Sequence, residues 1–172
     1  RFLLLSPDVD DPKFTHAVFQ LDAGQRLVFQ DQRHFGLLKI IKTANVGDDP
    51  SIRKLAPEPF SDEFSIDYLR AGLLGSSRSL KEFLLDQTKV CGLGNIYAAE
   101  AMFRAGLSPR RRARNVARGR VPLLFESIRG VLGDAIAMQQ AKVPDPVAIG
   151  EGVYGEGSAW DWAVYEREGS EC

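Results

Sequence analysis

The stretch Cys91-Gly92-Leu93-Gly94-Asn95-Ile96-Tyr97 sets two glycines directly before a run with helical spacing. Glycine lets backbone come close to another surface, and the N–H groups at a helix start, backed by the helix dipole, suit an anion such as phosphate. The stretch does not follow a strand and lacks the third glycine of a dinucleotide fingerprint, which argues against a nucleotide-cofactor fold. Just downstream, residues 101–130 hold Arg104, Arg110, Arg111, Arg112, Arg114, Arg118, Arg120 and Arg129 against Glu126 alone. An amide-lined turn beside a cationic run is equipment for gripping a nucleic-acid backbone. By composition alone, a solvated loop is the other reading of that run.

The formal net charge of the 172 residues is -1, with 22 Lys and Arg against 23 Asp and Glu. That near-neutrality is a cancellation. The arginine-rich segment is offset by residues 141–172, where Lys142 and Arg167 stand among seven acidic residues. A total excludes only a uniformly basic surface, because it says nothing about where charges sit. Two distant cysteines, Cys91 and Cys172, do not make a disulfide framework and fit a reducing cytoplasm. No apolar run approaches the ~20 residues of a membrane span. Hydrophobic residues at 44 % and charged residues at 26 % are ordinary globular values, which excludes collagen-like and wholly disordered chains. The chain starts at Arg1 without a signal pattern and is expected to be trimmed at its start.

Among the elements that must position these residues, the first 43 residues read as strands. Phe14–Leu21 and Arg26–Gln30 flank Asp22-Ala23-Gly24-Gln25, a hairpin loop with a glycine for its left-handed position. Gly36–Lys42 is predicted as a further strand, entered from the polar corner Asp31-Gln32-Arg33-His34. Residues 44–60 carry the prolines and glycines of a linker, where a domain boundary is expected. Beyond it the period becomes helical. Ser61–Leu73 is expected to turn Phe64, Tyr68 and Leu69 inward, and Ser79-Leu80-Lys81-Glu82 has the spacing of a capping box. Asn95 is predicted to cap a helix over Ile96–Ala105, with Gly106 just past its end. Leu124, Ile128, Val131, Leu132, Ala135 and Met138 form one stripe of a longer helix, with Pro122 in its first turn. From Val143 onward prolines and glycines break any period, and a short strand is expected at Trp160–Tyr165.

With these elements placed, Leu84 to Pro109, through Cys91-Gly92-Leu93-Gly94-Asn95-Ile96-Tyr97-Ala98-Ala99-Glu100, closely resembles the helix-two-turn-helix segment of the formamidopyrimidine-DNA glycosylase and endonuclease VIII family. Asp31-Gln32-Arg33-His34-Phe35-Gly36 resembles that family's Asp-x-Arg-Arg-Phe-Gly corner, and Leu55-Ala56-Pro57-Glu58-Pro59-Phe60 its Leu-Gly-Pro-Glu-Pro linker. Val164–Cys172 is similar to the approach to its zinc finger. The formamidopyrimidine branch is favoured. The implied fold is α+β: the rear part of an antiparallel β-sandwich (1–43), a linker (44–60), a helical helix-two-turn-helix DNA-binding domain (61–142), and a lesion-loop region leading to a truncated zinc finger (143–172).

The resemblance implies base-excision repair. Such enzymes are DNA glycosylases that flip an oxidised purine (8-oxoguanine or a formamidopyrimidine) from the duplex, remove it, and cut the backbone as apurinic-site lyases. An N-terminal proline amine, an adjacent glutamate and an early lysine carry the catalysis, and a secondary amine can form the iminium ion that serves as electron sink. None of the three is in this chain, so the fragment is expected to bind damaged double-stranded DNA without cutting it. Zinc belongs to the full-length relative; Cys172 would be the first of four zinc cysteines, and one thiolate cannot hold a tetrahedral zinc. The implied setting is a monomer in the bacterial cytoplasm, at the nucleoid and away from membranes.

By the same resemblance, Arg33 fills the hole left by the flipped base and Phe35 wedges beside it. His34 stands where the family has an arginine, which makes a permanent phosphate contact pH-dependent. Phe14 stands where the family often has a histidine and His16 matches the next one, unless it is only a strand histidine. Gly94 and Asn95 hold a phosphate, Arg112 joins the footprint, and Lys81 lies near the damaged nucleotide or is simply solvated. Glu100 is a candidate base-pocket acid, or a cap or ion-pair partner. Gly150–Gly157 matches the family's mobile loop in place. For Phe35 the other reading is core packing at a strand end. Two further functions stay open: a non-catalytic DNA-binding relative, and an RNA-associated protein sharing the helix-two-turn-helix element.

Overall fold

The computed structural model describes residues 2–22, 24–142 and 162–169. They form two compact units, residues 2–40 with 137–142 and residues 41–136 with 162–169. The first is a three-stranded antiparallel sheet of β1 (Phe2–Leu5), β2 (Thr15–Gln20) and β3 (Arg26–Gln30), in the order β1-β3-β2. Val28 at the centre of β3 is fully buried between Leu3 and Val18 in register, and with Leu3 and Leu5 it makes a small core. Gly24, at φ +80°, closes the β2–β3 loop by donating to the Leu21 carbonyl at 3.0 Å. Ala23 lies outside the described residues.

The strand expected over Gly36–Lys42 does not form. The third partner of the sheet is β1, so both edges of β3 are already filled, and the apolar residues Leu37 and Ile40 stand exposed instead of pairing. A short apolar run makes a strand only where a ladder partner is present.

The second unit holds α1 (Pro50–Arg53), α2 (Ile66–Leu74), α3 (Leu80–Leu85), α4 (Asn95–Arg104) and the main part of α5 (Val121–Lys142). The stretch read as linker thus contains a 3-10 turn over Thr43–Asp48 and the single turn α1, whose first N–H groups are served by the Asp49 carboxylate through Ser51 N–H at 2.9 Å. Ser65, by accepting from Tyr68 N–H, starts α2 five residues later than the apolar spacing suggests. Ser79 and Glu82 make the capping box of α3 with both reciprocal bonds in place. One core unites Phe64, Leu69, Leu73, Leu80, Phe83, Leu84, Leu93, Met102, Leu124 and Ile128. The α5 stripe of Leu124, Ile128, Val131 and Ala135 is buried as its 3- and 4-residue steps predict. The strand expected at Trp160–Tyr165 does not form over residues 162–165, which bend and turn from Ala163 onward; Trp160 and Asp161 lie outside the described residues. The architecture is α+β. Among the described residues no helix is long and apolar enough to cross a membrane.

Candidate nucleic-acid interface

Helix α3 ends at Asp86, and nine residues later α4 begins. Asp86 organises the exit: one carboxylate oxygen accepts from the Thr88 N–H and hydroxyl at 2.9 and 2.7 Å, the other from Arg78 at 2.8 Å. The Thr88 hydroxyl, ahead of its other partners, holds the Asp86 carboxyl below the usual carboxylate range. Gln87 then ties the turn. Its side-chain carbonyl accepts from Gly92 N–H at 2.8 Å, while its amide donates to the Leu93 and Leu85 carbonyls. Gly92 sits at φ +74°, a conformation that L side chains rarely adopt. Cys91 beside it is buried, 9 % exposed.

The cap of α4 is Gly94, not Asn95. Gly94 has the extended backbone of a cap (φ -92°, ψ 177°) and its carbonyl accepts the first helical bond, from Ala98 N–H at 2.9 Å; Asn95 is the first helical residue. Gly94 brings no side chain to the helix start, so the N–H groups of Asn95, Ile96 and Tyr97 precede the helical ladder at the positive end of the dipole. At the far end, Gly106 (φ +62°) donates to the Phe103 carbonyl and Leu107 to that of Met102, both at 2.9 Å, which is the Schellman pattern. The glycine past the helix end is therefore where the sequence places it.

The arginine run is stitched to the start of α3. Leu80 and Lys81 N–H groups donate to the Arg111 and Pro109 carbonyls at 2.7 and 3.2 Å, and Ala113 and Arg114 N–H groups donate to the Arg78 and Ser76 carbonyls at 2.9 and 3.2 Å. Ser79 and Arg112 pair as an antiparallel bridge, and the Arg112 guanidinium donates to the Ser77 carbonyl at 2.7 Å. Lys81, half-buried in the first turn of α3, thus lies beside residues 109–111. Arg110, Arg114, Arg118 and Arg120 are exposed. Arg104 is paired with Asp134 at 2.7 Å, and Arg129 lies over the Phe60 and Phe125 rings. The Asp134 carboxylate offsets the Arg104 charge, whereas Arg129 keeps its charge with its guanidinium against the two rings.

In the sheet unit, Asp31 builds the corner after β3. Its carboxylate accepts from Arg33 N–H at 3.1 Å and Gly36 N–H at 2.5 Å; the Gly36 bond is foremost in holding this carboxyl below its ordinary range. A Cβ on Gly36 would stand 2.6 Å from Phe29 Cζ. Phe35 is 80 % exposed, so it does not pack in the core of its unit, and the Arg33 guanidinium lies 5.3 Å from its ring centroid. His34, at φ +56°, meets the His16 ring edge-on at 4.9 Å and Phe14 at 5.9 Å, while His16 Nε2 hydrogen-bonds the Asp31 carbonyl at 3.1 Å. One ring nitrogen of His16 is thus engaged by the corner that follows β3.

Glu100 is 2 % exposed, and its carboxylate is taken up by the backbone N–H groups of Ala163, Val164 and Tyr165. Asp31, Gln87 and this use of Glu100 are what sequence reasoning missed. An Asp followed two residues on by a turn is a readable signal for the first; nothing in the spacing marks the other two. Cys172 and Gly150–Gly157 lie outside the described residues. Among the described residues no group of three or more His, Cys, Asp or Glu could hold a metal ion, and the buried Cys91 stands alone, so the residues present do not fit a zinc site.

Residues 55–146 match the family model described as the formamidopyrimidine-DNA glycosylase H2TH domain. The formamidopyrimidine-DNA glycosylase of Ruegeria pomeroyi is 44 % identical over 161 residues, covering 93 % of this chain and 56 % of the relative; that of Rhodopseudomonas palustris is 40 % identical over 173, covering 96 % and 58 %. The chain therefore spans a little over half the length of these curated relatives. Among solved structures, the Lactococcus lactis Fpg in complex with an abasic-site-containing DNA superposes with a TM-score of 0.74 at 31 % identity, over 80 % of this chain and 51 % of that one. The MutM (Fpg) protein from Thermus thermophilus gives 0.69 at 38 % identity, over 74 % and 48 %. With the glycine turn, the helix pair and the matched H2TH domain in one continuous segment, the chain belongs to the formamidopyrimidine-DNA glycosylase family.

Proposed function

We propose that this chain supplies the DNA grip of a base-excision repair glycosylase with apurinic-site lyase activity acting on oxidised purines. What supports the reading most is the start of α4, where three N–H groups precede the helical ladder behind a side-chain-free Gly94 cap, within the matched domain. Amides at a helix start bind a phosphate without sequence preference, as an enzyme that searches a duplex requires. Asn95, Lys81 and Arg112 complete this footprint, and Arg33, His34 and Phe35 supply the wedge at the flipped base. An exposed ring flanked by a guanidinium is suited to entering the stack and offsetting the few kcal/mol that unstacking costs. The residue roles assigned to the nucleophilic proline and its helpers have no counterpart among these 172 residues, so the chain alone is assigned binding without cleavage.

Fluorescence anisotropy with duplexes that carry or lack a tetrahydrofuran abasic analogue tests this reading. Tighter binding of the abasic duplex, with no borohydride-trapped adduct on a natural abasic site, is expected. Equal affinity for both duplexes, or a trapped covalent complex, overturns it.

A further inference from the structure

A buried carboxylate that accepts three consecutive backbone N–H groups is an unusual use of a helical glutamate. Glu100 Oε1 accepts from Val164 and Tyr165 at 2.9 and 3.1 Å, and Oε2 from Ala163 at 3.0 Å. A carboxylate offers only acceptors and these amides only donors, so the match in type is complete. Successive N–H groups in a turn make an anion-binding concavity, and here the anion comes from the chain itself, 63 residues away from its first partner. Removing such a group from water without these bonds is costly, so helix and turn each satisfy the other.

A second contact reinforces the first. Tyr97, three residues before Glu100 and so on the same side of α4, meets the Trp162 ring edge-on at 5.9 Å, and Trp162 meets Tyr165 at 6.4 Å. Arg167 closes the turn by donating to the Trp162 carbonyl at 3.3 Å, with Glu166 and Gly169 at positive φ. Tyr97 belongs to the same first turn of α4 whose N–H groups precede the helical ladder.

We propose that Glu100 is a positioning residue: its carboxylate fixes residues 162–169 on α4 and so sets the placement of this segment relative to the phosphate-binding turn. The functional half of this inference rests on the reading of that turn given under the proposed function; the anchoring half does not.

Hydrogen exchange on the whole chain, alongside anisotropy with the tetrahydrofuran duplex, tests both halves. E100Q keeps the shape but turns one acceptor into a donor facing N–H groups. It is expected to lower protection of the 163–165 amides by about tenfold or more, to leave the α3 and α5 core amides unchanged, and to weaken duplex binding. A163P deletes one donor, and with it the amide that would report on it, and leaves α4 untouched; it is expected to lower protection of Val164 and Tyr165 and to weaken duplex binding, and the double variant no worse than the more affected single one, because the two share a bond. Unchanged protection at 163–165 in E100Q overturns the anchor, as does a loss spread evenly over α3 and α5. If E100Q fails to fold, A163P decides: retained protection of Val164 and Tyr165 overturns the proposal. Lost protection with unchanged duplex affinity in A163P overturns the functional half. A wild-type chain that does not prefer the abasic duplex overturns the proposed function instead, while the exchange pattern still decides the anchor.

Discussion

The Gln87 side chain and the Gly92 backbone N–H, 2.8 Å apart, close the turn that leads into α4. Because the Gln87 backbone carbonyl also accepts from Ala56 N–H at 2.8 Å, the same residue holds the segment before α2. Gln87→Ala removes the side-chain bonds and leaves that backbone bond. The helical unit is expected to lose about 1 kcal/mol in urea denaturation, within the usual range for a partly exposed hydrogen-bond set. Duplex affinity is expected to fall further than that loss implies. A variant with unchanged affinity would remove Gln87 from the construction of the phosphate site.

Ser79→Ala breaks the capping box of α3. A loss of about 1 kcal/mol is expected by denaturant titration, the usual cost of a cap. Ser79→Asn, which can still accept from the Glu82 N–H, should recover most of it.

The chain is expected to be acid-labile. The Asp31, Glu82 and Asp86 carboxyls are all held below their ordinary range, by the Gly36 N–H, the Ser79 hydroxyl and the Thr88 hydroxyl foremost. Each stays ionised to lower pH in the folded chain than in the unfolded one. Their stabilisation is therefore complete above the ordinary carboxylate range and is lost as pH falls through the lowered folded values. Tm measured from neutral pH down through the carboxylate range should drop across that window, and Asp86→Asn should flatten the slope.

Gly36→Ala drives a methyl group to 2.6 Å from Phe29 Cζ and 2.9 Å from Asp31 Oδ2. The expected result is a displaced Arg33–Phe35 corner, hence weaker binding to a duplex carrying an abasic analogue with the far-UV signal of the helices intact. Equal affinity of variant and wild type would detach this corner from the DNA.

Asn95→Ala and Arg112→Ala should both weaken duplex binding, for different reasons. Loss of the Arg112 charge is expected to reduce the slope of log affinity against log salt by about one, whereas Asn95→Ala should leave it unchanged. The Arg112 bond to the Ser77 carbonyl adds a stability loss that thermal melting would show. A salt slope unaltered by Arg112→Ala excludes a phosphate contact.

The capping box and the Schellman glycine were legible in the sequence because each is set by residues within about six positions of one another. The buried α5 stripe was legible because helical period alone decides which face turns inward. The Gly36–Lys42 strand was misread because strand formation depends on a distant partner, and β1 already held that edge of β3. Asn95 was misread as the cap by one position, since a polar side chain signals a cap while the backbone dihedrals of Gly94 decide it. At the site, the glycine turn could be read from residue type, but the roles of Gln87 and Glu100 depend on which carbonyls and amides the chain brings back to them. Sequence spacing carries no such information.

Cys91 adds a consequence of its own. The residue is buried and directly precedes Gly92, whose N–H the Gln87 side chain holds. A thiol reagent is expected to react with so buried a residue chiefly when this segment opens, so the labelling rate at this position is a clock for the breathing of the turn. A bound duplex that presses on the turn should slow that clock, which makes an inert core residue a native timer for occupancy of the site beside it.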